Sequence, residues 1–164
     1  TAPDSIAPRV HRIRGIVGAR AQIYGMEEAP RAVLAAAMPP CMKALVANLT
    51  SGKQVPHMGR FALTSFLSNI GVADDEILGM LRASPDFNER IARYQVEHIS
   101  GKRGGRKKYT TPNCKTMKTH GLCINPDEVC ATISNPLAYY RKKARMIIAT
   151  ARRRREQSAR SVTS

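Results

Sequence analysis

The chain has no tryptophan, few other aromatic residues and no long apolar run. Phenylalanine and tyrosine make up 5% of its 164 residues, so a hydrophobic core must be built mainly from aliphatic side chains and methionine. The longest nearly apolar stretch, residues 32–38, is far shorter than the roughly 20 residues that a membrane-spanning helix needs. The sequence therefore predicts one domain with tails, no membrane-spanning segment and no membrane partner. Binding of a basic amphipathic tail helix to a membrane surface is a weaker alternative.

Alternating strand patterns, internal repeats and a secretory leader are also missing from the sequence. Apolar residues recur instead at helical spacing, which predicts a mainly α-helical domain. The first residues lack a basic segment followed by an apolar one, so we expect no signal peptide. Because the first residue is not methionine, we expect an excised domain or a processed chain.

Periodicity and capping signals predict seven helices and three regions. Asp74 and the two acidic residues after it are interpreted as a helix cap. The predicted helices cover residues 26–38, 41–49, 57–70, a segment beginning at 74, 87–99, 114–120 and a segment beginning at 136. We expect a helical or linker segment over residues 1–38 and the folded domain over residues 39–143. In the basic tail, residues 144–164, we expect the last helix to end before a disordered terminus.

Acidic residues are scarce, and the basic excess is concentrated in two blocks. The chain has 27 Lys and Arg against 12 Asp and Glu, a formal net charge of +15. Residues 101–120 carry seven basic residues and no acidic one, and residues 141–164 carry nine basic residues against Glu156 alone. Such clusters favour a nucleic acid, because each neutralised phosphate releases counterions. A solvated basic face is the alternative, above all for the second block.

Catalytic constellations are missing as well. The sequence shows no nucleophile with a paired base, no carboxylate pair suited to Mg²⁺ and no pair of glycosidase carboxylates. We therefore expect no catalytic residue in this chain and a protein that is not an enzyme by itself.

Four cysteines are present, and their spacing is informative. Cys114, Cys123 and Cys130 follow the pattern C-x8-C-x6-C, and Cys41 lies far upstream. Four thiolates can hold either a [4Fe–4S] cluster or one tetrahedral zinc. Zinc sites usually show tight C-x2-4-C pairs, which this chain lacks, so the spacing slightly favours the cluster. Unrelated buried thiols rank third and disulfides last.

The segment SGKRGGRKKYTTP, residues 100–112, is predicted to be a loop because it holds three glycines and no aliphatic residue. Glycines allow backbone N–H groups to approach phosphates, and a tyrosine can stack on a base. The alternative is a mobile solvated loop. The predicted nucleic-acid contacts of the loop are Lys102, Arg103, Arg106, Lys107, Lys108 and Tyr109.

Two pairs of residues complete the candidate site. His57 and Arg60 fall in the first turn of a predicted helix, where free N–H groups and the helix dipole favour an anion. Tyr94 and His98 lie four apart, on one face of another predicted helix. Taken alone, His57 is better explained as an ordinary helix-start residue, and Tyr94 and His98 as core and core-edge residues.

Four strings together resemble one family. They are PPCMKAL, PHMGRFALTSFLSNIG, YQVEHISGKRGGRKKYTTPNCKTMKTHGLC and NPLAYYRKK, and they run in order through residues 39–143 and all four cysteines. The chain resembles the iron–sulfur C-terminal domain of the archaeal and eukaryotic DNA primase large subunit, and is nearer the archaeal form. The resemblance implies a helical domain in two halves, joined at a [4Fe–4S] cluster that the four cysteines ligate.

The resemblance also implies a function in DNA replication. Family members help to start RNA primers by holding template DNA, the initiating nucleoside triphosphate and the 5′-triphosphate of the primer, beside a small subunit that carries the polymerising carboxylates. The partners implied are this catalytic subunit, template DNA, RNA primer and nucleotide, in a cytoplasmic, nucleoid-associated protein. The alternatives are a zinc-stabilised structural nucleic-acid-binding protein and an iron–sulfur repair enzyme.

The resemblance assigns expected roles to residues at positions that match the family's motifs. His57 and Arg60 match the His-x-x-Arg that contacts the triphosphate, and Gln95 falls where eukaryotic members have an Asn beside it. Tyr94 and His98 match the aromatic-and-His element at the nucleic-acid face. We also expect Phe61 to bind nucleic acid, although Phe61, Leu63 and Ser68 replace residues of the eukaryotic binding helix. Pro56 stands where eukaryotic members have a further Arg, so one phosphate contact of those members is missing.

Overall fold

Residues 35–162 are described by a computed structural model, and this part of the chain is mainly helical with no strand. Two 3₁₀ helices, Ala35–Ala37 and Cys130–Thr132, accompany the α-helices. The α-helices of these residues are α1 (Pro40–Thr50), α2 (His57–Asn69), α3 (Asp74–Leu81), α4 (Glu89–Ile99), α5 (Cys114–Thr119) and α6 (Pro136–Val162). Within residues 35–162, every helix is too short or too polar to span a lipid bilayer.

Helix α2 lies at the centre of the fold. It packs against α1, α3, α4 and α6, and its residues 62–68 are all buried. Phe66 has no exposed surface and meets Tyr140 of α6 edge to face, with ring centroids 5.9 Å apart. Gly59 permits this close packing, because a Cβ there would lie 2.8 Å from Val55. Because aromatic residues are scarce, the core consists mainly of aliphatic side chains and methionine, including Met42, Leu49, Leu78 and Met117.

Most predicted helix boundaries are confirmed, because the residues that begin and end each helix act locally in the sequence. Gly71 and Gly121 have φ values of 96° and 68°, the left-handed conformation that ends a helix. Asn88 and Asn113 cap α4 and α5 by accepting hydrogen bonds from backbone N–H groups three residues later. Of the predicted helix over residues 26–38, residues 26–34 lie outside the described part of the chain.

Two predictions on helix ends were wrong. The residue before α3 is Ala73, and no side chain caps this helix. Asp74 instead lies in the first turn, where it accepts a hydrogen bond from Ser100 and pairs with Lys102. The last helix does not end near residues 152–155 but continues to Val162, because its final turns contain Ala, Arg, Glu and Gln, which favour helix, and no Gly or Pro.

Candidate functional site

Helices α2 and α4 enclose a cavity of about 480 Å³, here called the α2–α4 cavity. Residues from the connection between α3 and α4, and from the loop that follows α4, complete its wall. The cavity collects the predicted triphosphate-binding residues and four of the predicted nucleic-acid-binding residues: His57, Arg60, Phe61, Tyr94, Gln95, His98 and Tyr109. Two segments that are far apart in sequence thus meet at one place.

Helical spacing explains how these side chains converge. On α2, His57, Arg60 and Phe61 lie at positions i, i+3 and i+4, which share one face of a helix. On α4, Tyr94 and His98 are likewise four residues apart. The buried remainder of each helix fixes the orientation of these faces. The cavity is therefore held by rigid elements rather than by loops alone.

One end of the cavity is built to hold negative charge, and an acidic residue already lies there. Arg60 donates from Nη1 to Oδ1 of Asp86 at 3.3 Å, and its Nη2 lies 3.3 Å from Oδ2. Its Nε is buried and has no hydrogen-bond partner within residues 35–162. The Ser84 hydroxyl donates to Asp86 at 2.6 Å, and together with Arg60 it lowers the pKa of that carboxyl. Asp86 is consequently ionised at neutral pH.

The other end carries a row of aromatic rings. Phe61 meets Tyr109 edge to face at 5.9 Å, Tyr109 lies 5.4 Å from His98, and His98 stacks on Tyr94 at 6.0 Å with an interplanar angle of 12°. Tyr94 and Tyr109 are 54% and 43% exposed although both are large and apolar. Exposed, ordered rings of this kind offer a stacking surface for nucleobases.

His98 contacts both Tyr109 and the loop that follows α4. Its Nε2 lies 3.1 Å from the hydroxyl of Tyr109, and its Nδ1 edge faces Gly104, where a Cβ would stand only 2.7 Å from that nitrogen. Gly104 has a φ of 70°, so glycine is required there by both space and backbone conformation. The loop after α4 is therefore shaped around His98.

The basic loop, residues 101–109, is anchored at several points rather than freely solvated. Lys102 pairs with Asp74 at 2.9 Å, Arg103 pairs with Glu97, and Lys108 donates to the carbonyl oxygen of Ser68 at 2.8 Å. The backbone carbonyl of Tyr109 accepts a hydrogen bond from Asn69. These contacts hold the loop against α2, α3 and α4.

Arg106 and Lys107 differ from the other basic residues of the loop. Neither side chain has an ion pair or a hydrogen bond within the described residues, and both are exposed. Arg106 has a φ of 52°, in the left-handed region that few residues other than glycine adopt. Lys107 lines a second cavity of about 390 Å³, which shares His98 and Tyr109 with the α2–α4 cavity. These two cations are the members of the loop that are available to a ligand.

The four cysteines also converge. Cys41 from the first turn of α1, Cys114 from the start of α5, and Cys123 and Cys130 from the segment before α6 line one cavity of about 300 Å³, here called the cysteine cavity. All four are half-buried, and none forms a disulfide. The structure therefore does not support the disulfide alternative, and it brings cysteines that are far apart in sequence to the same cavity.

The electrostatics of the cysteine cavity disfavour thiolates unless positive charge is supplied. Burial raises the pKa of the Cys41 thiol to about 12, and repulsion by the other three sulfurs adds to the rise. Burial likewise raises the pKa of Cys114 and Cys130. No three His, Cys, Asp or Glu side chains of the described chain are arranged to hold a single metal ion.

The sequence analysis missed two carboxylates that lie beside predicted site residues. Asp127 accepts hydrogen bonds from the buried Tyr139 hydroxyl at 2.5 Å and from the backbone N–H of Cys130 at 3.1 Å, so it orders the segment that carries this cysteine. Asp86 was missed because its partner Arg60 lies 26 residues away in sequence. No local pattern marks either carboxylate.

The comparisons with known proteins agree on one family. Residues 31–160 match the family described as the C-terminal domain of the large subunit of eukaryotic and archaeal DNA primase. The DNA primase large subunit PriL of Methanocella arvoryzae is 51% identical over 107 residues, which cover 65% of this chain. The PriL of Halobacterium salinarum is 48% identical over 105 residues, 64% of this chain, and that of Thermoplasma volcanium is 45% identical over 114 residues, 68% of this chain.

The chain is much shorter than these relatives. It spans 29% of the length of the Methanocella and Halobacterium proteins and 35% of the Thermoplasma protein. The family match thus concerns a part of each relative, and within this chain it includes all four cysteines and both faces of the α2–α4 cavity.

Proposed function

The chain belongs to the family of the C-terminal domain of the eukaryotic and archaeal DNA primase large subunit, and from this we propose that it serves primer initiation. In this role it binds template DNA together with the 5′-triphosphate of the initiating nucleotide or the primer. The observation that carries the proposal is the α2–α4 cavity, which joins a cationic end to an exposed row of aromatic rings. The polymerising carboxylates are supplied by a separate, small catalytic partner.

Each end of the cavity suits one part of the ligand. At the cationic end, Arg60, His57 and the free N–H groups of the first turn of α2 can bind phosphate oxygens. Gln95 on the facing helix offers a further amide. At the other end, Tyr94 and Tyr109 can stack on bases, and the neighbouring basic loop can follow the backbone of the nucleic acid.

We also propose that the four cysteines hold a [4Fe–4S] cluster. A tetrahedral zinc would need four sulfur atoms about 2.3 Å from one point. Such sites usually contain tight C-x2-4-C pairs, which this chain lacks, whereas its four cysteines line a cavity of about 300 Å³. A cationic iron–sulfur core supplies the positive charge that stabilises four neighbouring thiolates. In this position it would join α1 to the segment between α5 and α6.

A domain-deletion experiment tests the proposed function. Primase is reconstituted from the small subunit together with one of two large subunits. One is full-length, and the other lacks the segment corresponding to residues 39–162. We expect the shortened complex to lose synthesis of the first dinucleotide while it still extends a long primer on the same template. Equal loss of both activities, or no loss of initiation, would contradict the proposal.

The structure also predicts which loop residues bind the nucleic-acid backbone. Because Arg106 and Lys107 have no partner in the described chain, replacing both with Ala should weaken binding and flatten its salt dependence by roughly 0.7–0.9 log units for each phosphate that is no longer neutralised. Replacing Lys102 and Arg103, which are paired with Asp74 and Glu97, should change the slope less. The measurement is the affinity for a short primer–template between about 50 and 200 mM salt. Equal slopes for the two double variants would contradict this assignment.

A further inference from the structure

Asp86 is the acidic residue that lines the α2–α4 cavity within the described chain, and it is placed against Arg60. Two independent contacts fix it there. The buried Ser84 donates to Oδ1 at 2.6 Å, and the guanidinium of Arg60 reaches both carboxylate oxygens at 3.3 Å. A carboxylate is thus held at the position where the proposed function requires Arg60 to bind a phosphate.

The geometry of this pair is that of a weak, exchangeable contact. Charge-assisted N–H···O bonds are usually about 2.7–2.9 Å long, so both contacts to Asp86 are long. Arg82 and Glu89 form a nearby pair with distances of 3.0–3.1 Å. In addition, Nε of Arg60 is buried and lacks a partner within residues 35–162, so Asp86 leaves part of the guanidinium unsatisfied. A ligand with more acceptor oxygens can use these donors better than Asp86 does.

We propose that Asp86 competes with the phosphate groups of the ligand for Arg60 and so sets how tightly the 5′-triphosphate is held. This inference rests on the proposed function of the cavity. When the cavity holds no anion, the carboxylate occupies the guanidinium of Arg60. When a triphosphate enters, it must displace Asp86, and the negative charge that remains nearby repels it. Both effects lower the affinity of the cavity for the 5′-triphosphate, which must later be released.

Asp86→Asn is the sharpest variant for testing this competition. The amide keeps the size of the side chain and can still accept the hydrogen bond from Ser84, but it removes the negative charge. Asp75→Asn is the matched control, because Asp75 is 86% exposed, pairs with Arg93 and does not line the α2–α4 cavity. Arg60→Ala, alone and combined with Asp86→Asn, completes a double-mutant cycle.

The experiment measures the affinity of the anaerobically purified chain for a primer–template with a 5′-triphosphate and for the same duplex with a 5′-hydroxyl. Asp86→Asn should tighten binding of the triphosphate duplex by roughly two- to tenfold, leave the hydroxyl duplex nearly unchanged, and give no gain when Arg60 is already Ala. Asp75→Asn should leave the ratio between the two duplexes unchanged.

Two different failures can be told apart. If the wild-type chain prefers the triphosphate but Asp86→Asn binds it equally or more weakly, the competition is overturned, and weaker binding would mean that Asp86 instead orients Arg60. A gain that persists in the Arg60→Ala background would likewise overturn it. If the wild-type chain binds both duplexes equally, the proposed triphosphate function falls together with this inference.

Discussion

Replacing Cys41 with Ser is expected to remove most of the bound iron and to lower the melting temperature strongly. Cys41 stands 73 positions before Cys114 in sequence, yet both line the cysteine cavity. A cluster bound there closes a long loop, and its binding free energy is part of the folding free energy. A cross-link that closes a loop of this kind is worth roughly 2–5 kcal/mol. At about 2–4 °C per kcal/mol, the melting temperature should fall by roughly 4–20 °C.

The measurement combines iron and sulfide analysis with thermal unfolding of anaerobically purified protein. Val46→Ala is a suitable control, because Val46 lies on the same helix, is partly buried against the core and does not line the cysteine cavity. This control should lose some stability and retain its iron. A Cys41→Ser variant with full iron and unchanged melting would show that Cys41 is not a ligand.

Replacing Arg60 with Ala is expected to weaken binding of a 5′-triphosphate primer–template by roughly ten- to a hundredfold. Charge-assisted hydrogen bonds are worth about 1.5–3 kcal/mol, and Arg60 lies in the first turn of α2 beside further donors. The same duplex with a 5′-hydroxyl should be bound nearly as well as by the wild-type chain, because it has no 5′-terminal phosphate for Arg60 to bind. In reconstituted primase, the first dinucleotide step should suffer more than extension of a long primer.

Arg82→Ala is a closely matched control for this variant. The side chain of Arg82 is 28% exposed against 29% for Arg60, and it is also paired with a carboxylate, that of Glu89. Arg82 does not line the α2–α4 cavity, so its loss should not alter the preference between the two 5′ ends. If Arg60→Ala weakens both duplexes by the same factor, the domain is better described as a general template clamp.

The helices were predictable from sequence because their signals are local. Proline before α1 and α2, asparagine caps at α4 and α5, and glycines after α2 and α5 act within a few residues. The same local reasoning failed at Asp74. An acidic residue at a helix start is expected to cap it. Asp74 instead accepts a hydrogen bond from Ser100 and pairs with Lys102, which come close to it only in the folded chain.

The grouping of the site residues was predictable mainly through the family resemblance. Spacing alone placed His57 with Arg60 and Tyr94 with His98, but nothing local showed that the two pairs face one cavity. The contact of Asp86 with Arg60 could not be foreseen, because it depends on how the connection between α3 and α4 packs beside α2. Likewise, the anchoring of Lys102 and Lys108 depends on partners at least 28 positions away in sequence.

The central claim is that the α2–α4 cavity recognises the 5′-triphosphate of a primer or initiating nucleotide. The most direct test is the ratio of affinities of the wild-type chain for two otherwise identical primer–templates, one with a 5′-triphosphate and one with a 5′-hydroxyl. Our account predicts a preference for the triphosphate of roughly tenfold or more at moderate salt. Equal affinities for the two duplexes would contradict it.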